Sequence, residues 1–165
     1  MKQSEVFFLL RRTSRWLGER SECSYIRVLK RNNNHTLLAL MGEYEGSQKQ
    51  YNKHKEYVTI TAERKKKKTR NYVTYSRERY GGSGREYKMI FDDANGCSVF
   101  KLTKGKKQSG SATECEMWAT KEVATSINVM SSCEVAYWKH CEPNTDVEDT
   151  PYVVDCQEVA TSINV

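Results

Sequence analysis

The sequence predicts an all-β fold: an eight-stranded antiparallel up-and-down barrel, stapled by disulfides, with a C-terminal α-helix packed on its outside. Three observations carry this. Apolar residues recur with a period near two in eight short segments, separated by turn clusters at regular spacing. Six cysteines stand in a chain of 165 residues, an even number suited to bridges. After the strands the pattern turns helical around Ser131–Cys141, a span that carries two of those cysteines. Closing the sheet removes its exposed edges, and eight strands leave room inside for one small ligand.

The elements follow in order. Val6–Arg12 is a short apolar strand. Cys23–Arg31 alternates, with Tyr25, Arg27 and Leu29 on one face and Ile26 and Val28 on the other. Arg31-Asn32-Asn33-Asn34 is a turn cluster. Thr36–Glu45 is the third strand, ended by Gly46-Ser47. Glu56–Ala62 has strong β-propensity, and Asn71–Ser76 follows a basic block. Gly81-Gly82-Ser83-Gly84 is a turn, Glu86–Phe91 the next strand, and Asn95-Gly96 a hairpin signal. Cys97–Thr103 and Glu114–Thr120 complete the eight. Ser131-Ser132 caps the helix, Glu134 suits its first turn, and Pro143 stops it soon after Cys141. Tyr152-Val153-Val154 reads as a last short strand before Cys156.

The bulk properties bound the function. Residues 1–156 form one domain with one core. Hydrophobic residues make up 38% and mean hydropathy is −0.78, so the core is small and gains from covalent staples. An even cysteine set and the glycosylation sequon Asn34-His35-Thr36 together favour secretion. The apolar run Val6–Leu10 is too short for a secretory signal, so the chain reads as a mature form with an added or retained Met1. No stretch approaches the length of a transmembrane span.

The net charge is +6, densest at Arg64-Lys65-Lys66-Lys67-Lys68. That block is a candidate contact for an anionic partner such as heparin or another glycan, nucleic acid, a phospholipid surface or an acidic host protein. The simpler reading is a solvated hairpin tip, because no aromatic interleaves it. Glu122–Val129 and Glu158–Val165 both read EVATSINV. The period suits no solenoid, and residues 157–165 are expected to be a loosely ordered duplicated tail.

The cysteine gaps of 74, 18, 18, 8 and 15 fit no zinc motif. His140 beside Cys141 is more simply a surface histidine than a catalytic partner. Cys133 and Cys141 lie about 80° apart in azimuth and about 12 Å apart along a helix, hence on one face. Two strands beneath that face, opened by Cys97 and Cys115, would supply partners. The expected pairs are Cys97–Cys133 and Cys115–Cys141, leaving Cys23–Cys156. If those sulfurs point outward, Ser98, Phe100, Leu102, Glu116 and Trp118 point inward, since strand side chains alternate. A carboxylate beside an indole inside an apolar barrel is costly without a partner. A ligand cation would be one, with cation–π support from Trp118. The plainer alternative has Glu116 bonded to an interior Arg or Tyr and Trp118 as core.

These residues resemble the tick salivary lipocalins, the histamine-binding-protein family, over nearly the whole chain. That family's amine signature runs Cys, an acid and an aliphatic, then a spacer, Glu-Leu-Trp or Glu-Leu-Tyr, and a further Cys. Here Cys97-Ser98-Val99 precedes a 16-residue spacer, then Glu116-Met117-Trp118 and Cys133. Val6–Leu10, Trp16 and Cys23 resemble the family's first strand and early tryptophan. The expected disulfides agree with the family pattern, including the extra pair some members carry. Two features depart from it: Ser98 replaces the acid, and the helix that usually precedes the first strand is shortened or absent.

The resemblance implies a secreted lipocalin; the chain is expected to be a monomer without cofactor, metal or catalytic residues. It would sequester a biogenic amine such as histamine or serotonin and suppress host inflammation. The ligand set is then Glu116, Trp118, Ser98, Phe100, Phe91, Phe8 and Trp16. Because the family also includes binders of leukotrienes, fatty acids, cholesterol and complement proteins, two alternatives stand. One is a lipid mediator met by Arg11 or Arg27. The other is a host-protein contact through Arg64–Lys68. An enzyme reading has no nucleophile–base pair or metal spacing behind it.

Overall fold

The computed structural model describes residues 5–14, 22–45, 50–51, 56–63, 72–77, 84–105, 113–126, 131–153 and 155–156. Strands β1 (Val6–Arg12), β2 (Glu22–Arg31) and β3 (Thr36–Glu45) come first, then a two-residue β4 (Gln50–Tyr51). They are followed by β5 (Glu56–Glu63), β6 (Tyr72–Arg77), β7 (Arg85–Asp92), β8 (Cys97–Lys104) and β9 (Cys115–Thr120). Helices α1 (Lys121–Ser126) and α2 (Ser132–Cys141) complete the elements. Sequential strands pair antiparallel, with β3 meeting β5, and β1 pairs both β2 and β9. The eight long strands therefore close into an up-and-down barrel, as the alternating pattern requires, and β4 only extends β3.

Two apolar clusters lie on opposite sides of the barrel wall. The inner one gathers Leu9, Ile26, Met41, Ile60, Tyr75, Tyr87 and Trp118. The outer one gathers Phe8, Tyr25, Val99 and Met117 with Tyr137 of α2 and all six cysteines. Strand alternation sorts them: on β9, Cys115, Met117 and Ala119 face out while Glu116 and Trp118 face in. Tyr25 fits because it lies opposite Gly42, where a Cβ would fall 2.7 Å from the phenol ring carbon.

The disulfides are Cys23–Cys156, Cys97–Cys133 and Cys115–Cys141, with Cα separations of 5.2, 6.2 and 6.0 Å. The last two fix α2 to the outer faces of β8 and β9. Ser131 caps α2 by accepting from the Glu134 amide at 3.3 Å. Glu142 ends it in the left-handed conformation, just before Pro143. The following segment is strapped to the barrel end by a buried ion pair. Arg12 Nε and Nη2 donate to Asp149 Oδ2 at 2.9 and 2.7 Å.

One expectation about an element needs correction, and one element was not anticipated. Tyr152 and Val153 are not a strand; Val154 lies outside the described residues. Pro151 has no amide to give a ladder, and its carbonyl instead accepts from Cys23 N at 2.7 Å. Conversely, the first EVATSINV copy begins within a helix. Thr120 Oγ1 accepts from Val123 N at 3.5 Å and caps α1, and Ala124 is buried against the barrel. The second copy and the tail 157–165 lie outside the described residues, as does the basic block Arg64–Lys68.

Candidate ligand cavity

The inward residues of β8 and β9 form one patch. Ser98 stands directly opposite Trp118, and Phe100 opposite Glu116. Side chains opposite one another on paired strands share a face, so all four line the barrel interior together, as expected. Leu9 of β1 continues the row beside Trp118.

The described residues enclose two adjoining chambers in the interior. A narrow inner one of about 70 Å³ is bounded by Glu116, Trp118, Tyr75, Tyr87, Ile26 and Met41. A wider one of about 420 Å³ opens at the end that carries the β2–β3 and β7–β8 turns. Phe7, Ile60, Val73, Ser98 and Phe100 line both, so the chambers adjoin. The wider chamber falls in the size range of small-ligand pockets. Its rim carries Glu5, Arg31, His35 and Asp92.

Among the described residues of the inner lining, Glu116 is the one carboxylic acid, and none is Lys, Arg or His. Its Oε1 accepts from the Tyr87 hydroxyl at 2.9 Å and its Oε2 from the Trp118 indole at 2.9 Å. The plainer alternative for Glu116 is thus met in part, by a tyrosine and by Trp118 itself. A carboxylate offers about four lone-pair sites, so two donors leave room for further ones. Tyr87 is stacked on Tyr75, centroids 5.4 Å apart, and their hydroxyls are 3.1 Å apart. Tyr87 gives its single proton to Glu116, so Tyr75 is the donor in that second contact.

Burial, with the Glu116 charge added, holds the Tyr87 phenol well above its usual range and keeps it a donor. Farther along β7, Arg85 pairs with Glu114 and lies 5.5 Å from the Tyr87 ring centre. Burial works against the Arg85 charge, but Tyr87, Tyr75, Glu116 and Glu114 outweigh it and keep the guanidinium protonated.

Other expected residues lie elsewhere. Phe8 belongs to the outer cluster, its ring 5.4 Å from Tyr152, because β1 turns Phe7 inward instead. Phe91 also packs on the outer cluster: a β-bulge between Met89 and Phe91 reverses the alternation set by Tyr87. A second bulge, between Leu9 and Arg11, sends Arg11 outward. There it donates to Glu134 and Glu148 and lies over Trp138. Arg27 shares the outward face of Tyr25, so neither arginine of the lipid reading enters the barrel. Trp16 lies outside the described residues. Residues that sequence reasoning missed are Phe7, Tyr75 and Tyr87; Phe7 lies two residues from Leu9, which stands opposite Trp118, and Tyr87 stands opposite Leu102 of the inner cluster and stacks on Tyr75.

A family model described as tick histamine binding protein matches residues 1–158. None of the curated proteins matches the chain significantly. Among solved structures, the siderocalin Ex-FABP, described as having dual ligand specificities, superposes with a TM-score of 0.59 at 9% identity. That likeness covers 92% of this chain and 95% of Ex-FABP. Lobster apocrustacyanin A1 gives a TM-score of 0.54 at 9% identity, covering 88% of this chain and 74% of the other. Apocrustacyanin C1 gives 0.55 at the same identity and coverage. At such identity these likenesses establish the lipocalin fold alone, whereas the family match spans almost the entire chain. The chain belongs to the tick histamine-binding protein family, built on a disulfide-stapled lipocalin barrel.

Proposed function

We propose that the protein is a secreted carrier that sequesters a small cationic amine inside its barrel, binding stoichiometrically without turnover. The observation that supports this is the Glu116 carboxylate, oriented by Tyr87 and Trp118 at the deep end of an apolar cavity. An ammonium there would gain a charge-assisted hydrogen bond in a low dielectric and contact with the Trp118 face. Phe7, Phe100 and Ser98 would surround the rest of the ligand. One carboxylate compensates one positive charge, so monoamines fit the inner chamber better than diamines. The three disulfides agree with an oxidising, extracellular setting.

Calorimetry with tryptamine and histamine tests this. Glu116→Gln is expected to lower affinity about 10- to 100-fold, the worth of a charged hydrogen bond, with an unchanged circular dichroism spectrum. Undiminished amine binding by Glu116→Gln would contradict the proposal.

A second reading, a lipid mediator, draws on the wider chamber. Its apolar walls lead to Arg31 and His35 at the rim, where a carboxylate head group would sit. Fatty-acid binding that survives Glu116→Gln but fails in Arg31→Gln would select it.

A further inference from the structure

We propose that Asn34 carries an N-linked glycan and that this glycan stands at the mouth of the barrel, controlling how fast ligands enter and leave. Asn34-His35-Thr36 satisfies the acceptor sequon. The local geometry presents it. Asn33, not Asn34, caps the β2–β3 turn: its Oδ1 accepts from the amides of His35 and Thr36, both at 2.8 Å. Asn32 N bonds to Thr36 O at 2.9 Å and closes the turn. Asn34 is left exposed at the tip.

The same residue lines the 420 Å³ chamber, beside Arg31, His35 and Leu37. A modification on its amide nitrogen therefore begins at the cavity opening. The three disulfides require an oxidising compartment for folding, and in eukaryotes that compartment also holds the glycosyl donor. In the transfer, Asn34 Nδ2 bonds to the anomeric carbon of a lipid-linked pyrophosphoryl oligosaccharide. The bond from that carbon to the pyrophosphate oxygen breaks, the lipid pyrophosphate leaves with the electron pair, and one amide proton is released to solvent.

A glycan is bulky, hydrated and tethered at one point. Anchored on the rim, it obstructs entry and exit alike without touching a ligand seated on Glu116. Both rate constants fall together, and the dissociation constant stays fixed. The glycan thus lengthens residence time, the property a scavenger of a briefly released mediator needs, without any change in the inner chamber.

The full chain is secreted from insect cells, and intact mass is measured before and after amidase removal of N-glycans. Stopped-flow binding is then measured with two probes, anilinonaphthalene sulfonate and tryptamine. The glycosylated protein is expected to show association and dissociation about fivefold slower than the enzymatically deglycosylated one, at equal affinity. Asn34→Gln should match the deglycosylated protein. Thr36→Ser, which retains the sequon, should match the glycosylated one. The proposal is overturned by secreted protein whose mass is unchanged by amidase treatment, by equal rates in both forms, or by binding of neither probe after deglycosylation. Gated binding of the sulfonate with no tryptamine binding leaves the glycan proposal intact and removes the amine reading.

Discussion

The two faces of β9 show how one six-residue strand serves two purposes. Its outward residues Cys115, Met117 and Ala119 are fully buried under α2, where a disulfide and tight packing leave no room. Its inward residues Glu116 and Trp118 keep polar atoms that bond one another and Tyr87, beside open volume. The outer face carries the stability and the inner face carries the chemistry. Alternation with period two keeps the roles from interfering.

Substitutions that separate the faces test this division, and the largest effect belongs to adjacent phenylalanines of β1. Phe8→Ala should cost about 3–5 kcal/mol by cavity formation in the outer cluster, read by urea unfolding. Amine affinity should be retained at low temperature. Phe7→Ala, on the half-buried cavity wall, should cost less stability and instead weaken ligand binding. Next, Cys115→Ser with Cys141→Ser should lower stability by about 3 kcal/mol, since that bridge spans 26 residues of chain. Ligand affinity should change little while the barrel is folded. Tyr87→Phe should cost about 1–2 kcal/mol by removing a buried donor from Glu116, and it acts on the inner face.

The smallest effect concerns pH. Burial pushes the outer-face Tyr25 phenol up to about 12 in the fold, opposed by Arg27, against 10.0 unfolded. A raised folded value means its contribution is complete below pH 10 and is lost as pH climbs toward 12. Denaturation between those values should show a shallower decline in Tyr25→Phe than in the parent chain.

Much of this was legible in the sequence for a physical reason. Strand alternation, turn residues and the helix cap are local signals, and they located the eight barrel strands and α2. Cysteines at the starts of β8 and β9 fixed which face was outward, so Ser98, Phe100, Glu116 and Trp118 could be placed inside. Elsewhere no anchor existed. In Val6–Leu10 every residue is apolar, so alternation cannot say whether Phe7 or Phe8 faces in. Bulges after Leu9 and Met89 then inverted the expected facing of Arg11 and Phe91. The Tyr75–Tyr87–Glu116 chain depends on cross-strand register, which only the closed sheet supplies. Helix α1 is six residues long with Val and Thr within it, too short for a periodic signal.

The most direct test uses two indoles on opposite sides of the wall. Trp118 donates to Glu116 inside the barrel, while Trp138 lies on the outer helix beneath Arg11. Indole N–H resonances, assigned with Trp118→Phe and Trp138→Phe, would be followed by NMR as tryptamine is added. The account predicts that the Trp118 resonance shifts and saturates at one equivalent while Trp138 stays in place. A shift confined to Trp138, or no shift at Trp118 at saturating amine, would contradict it.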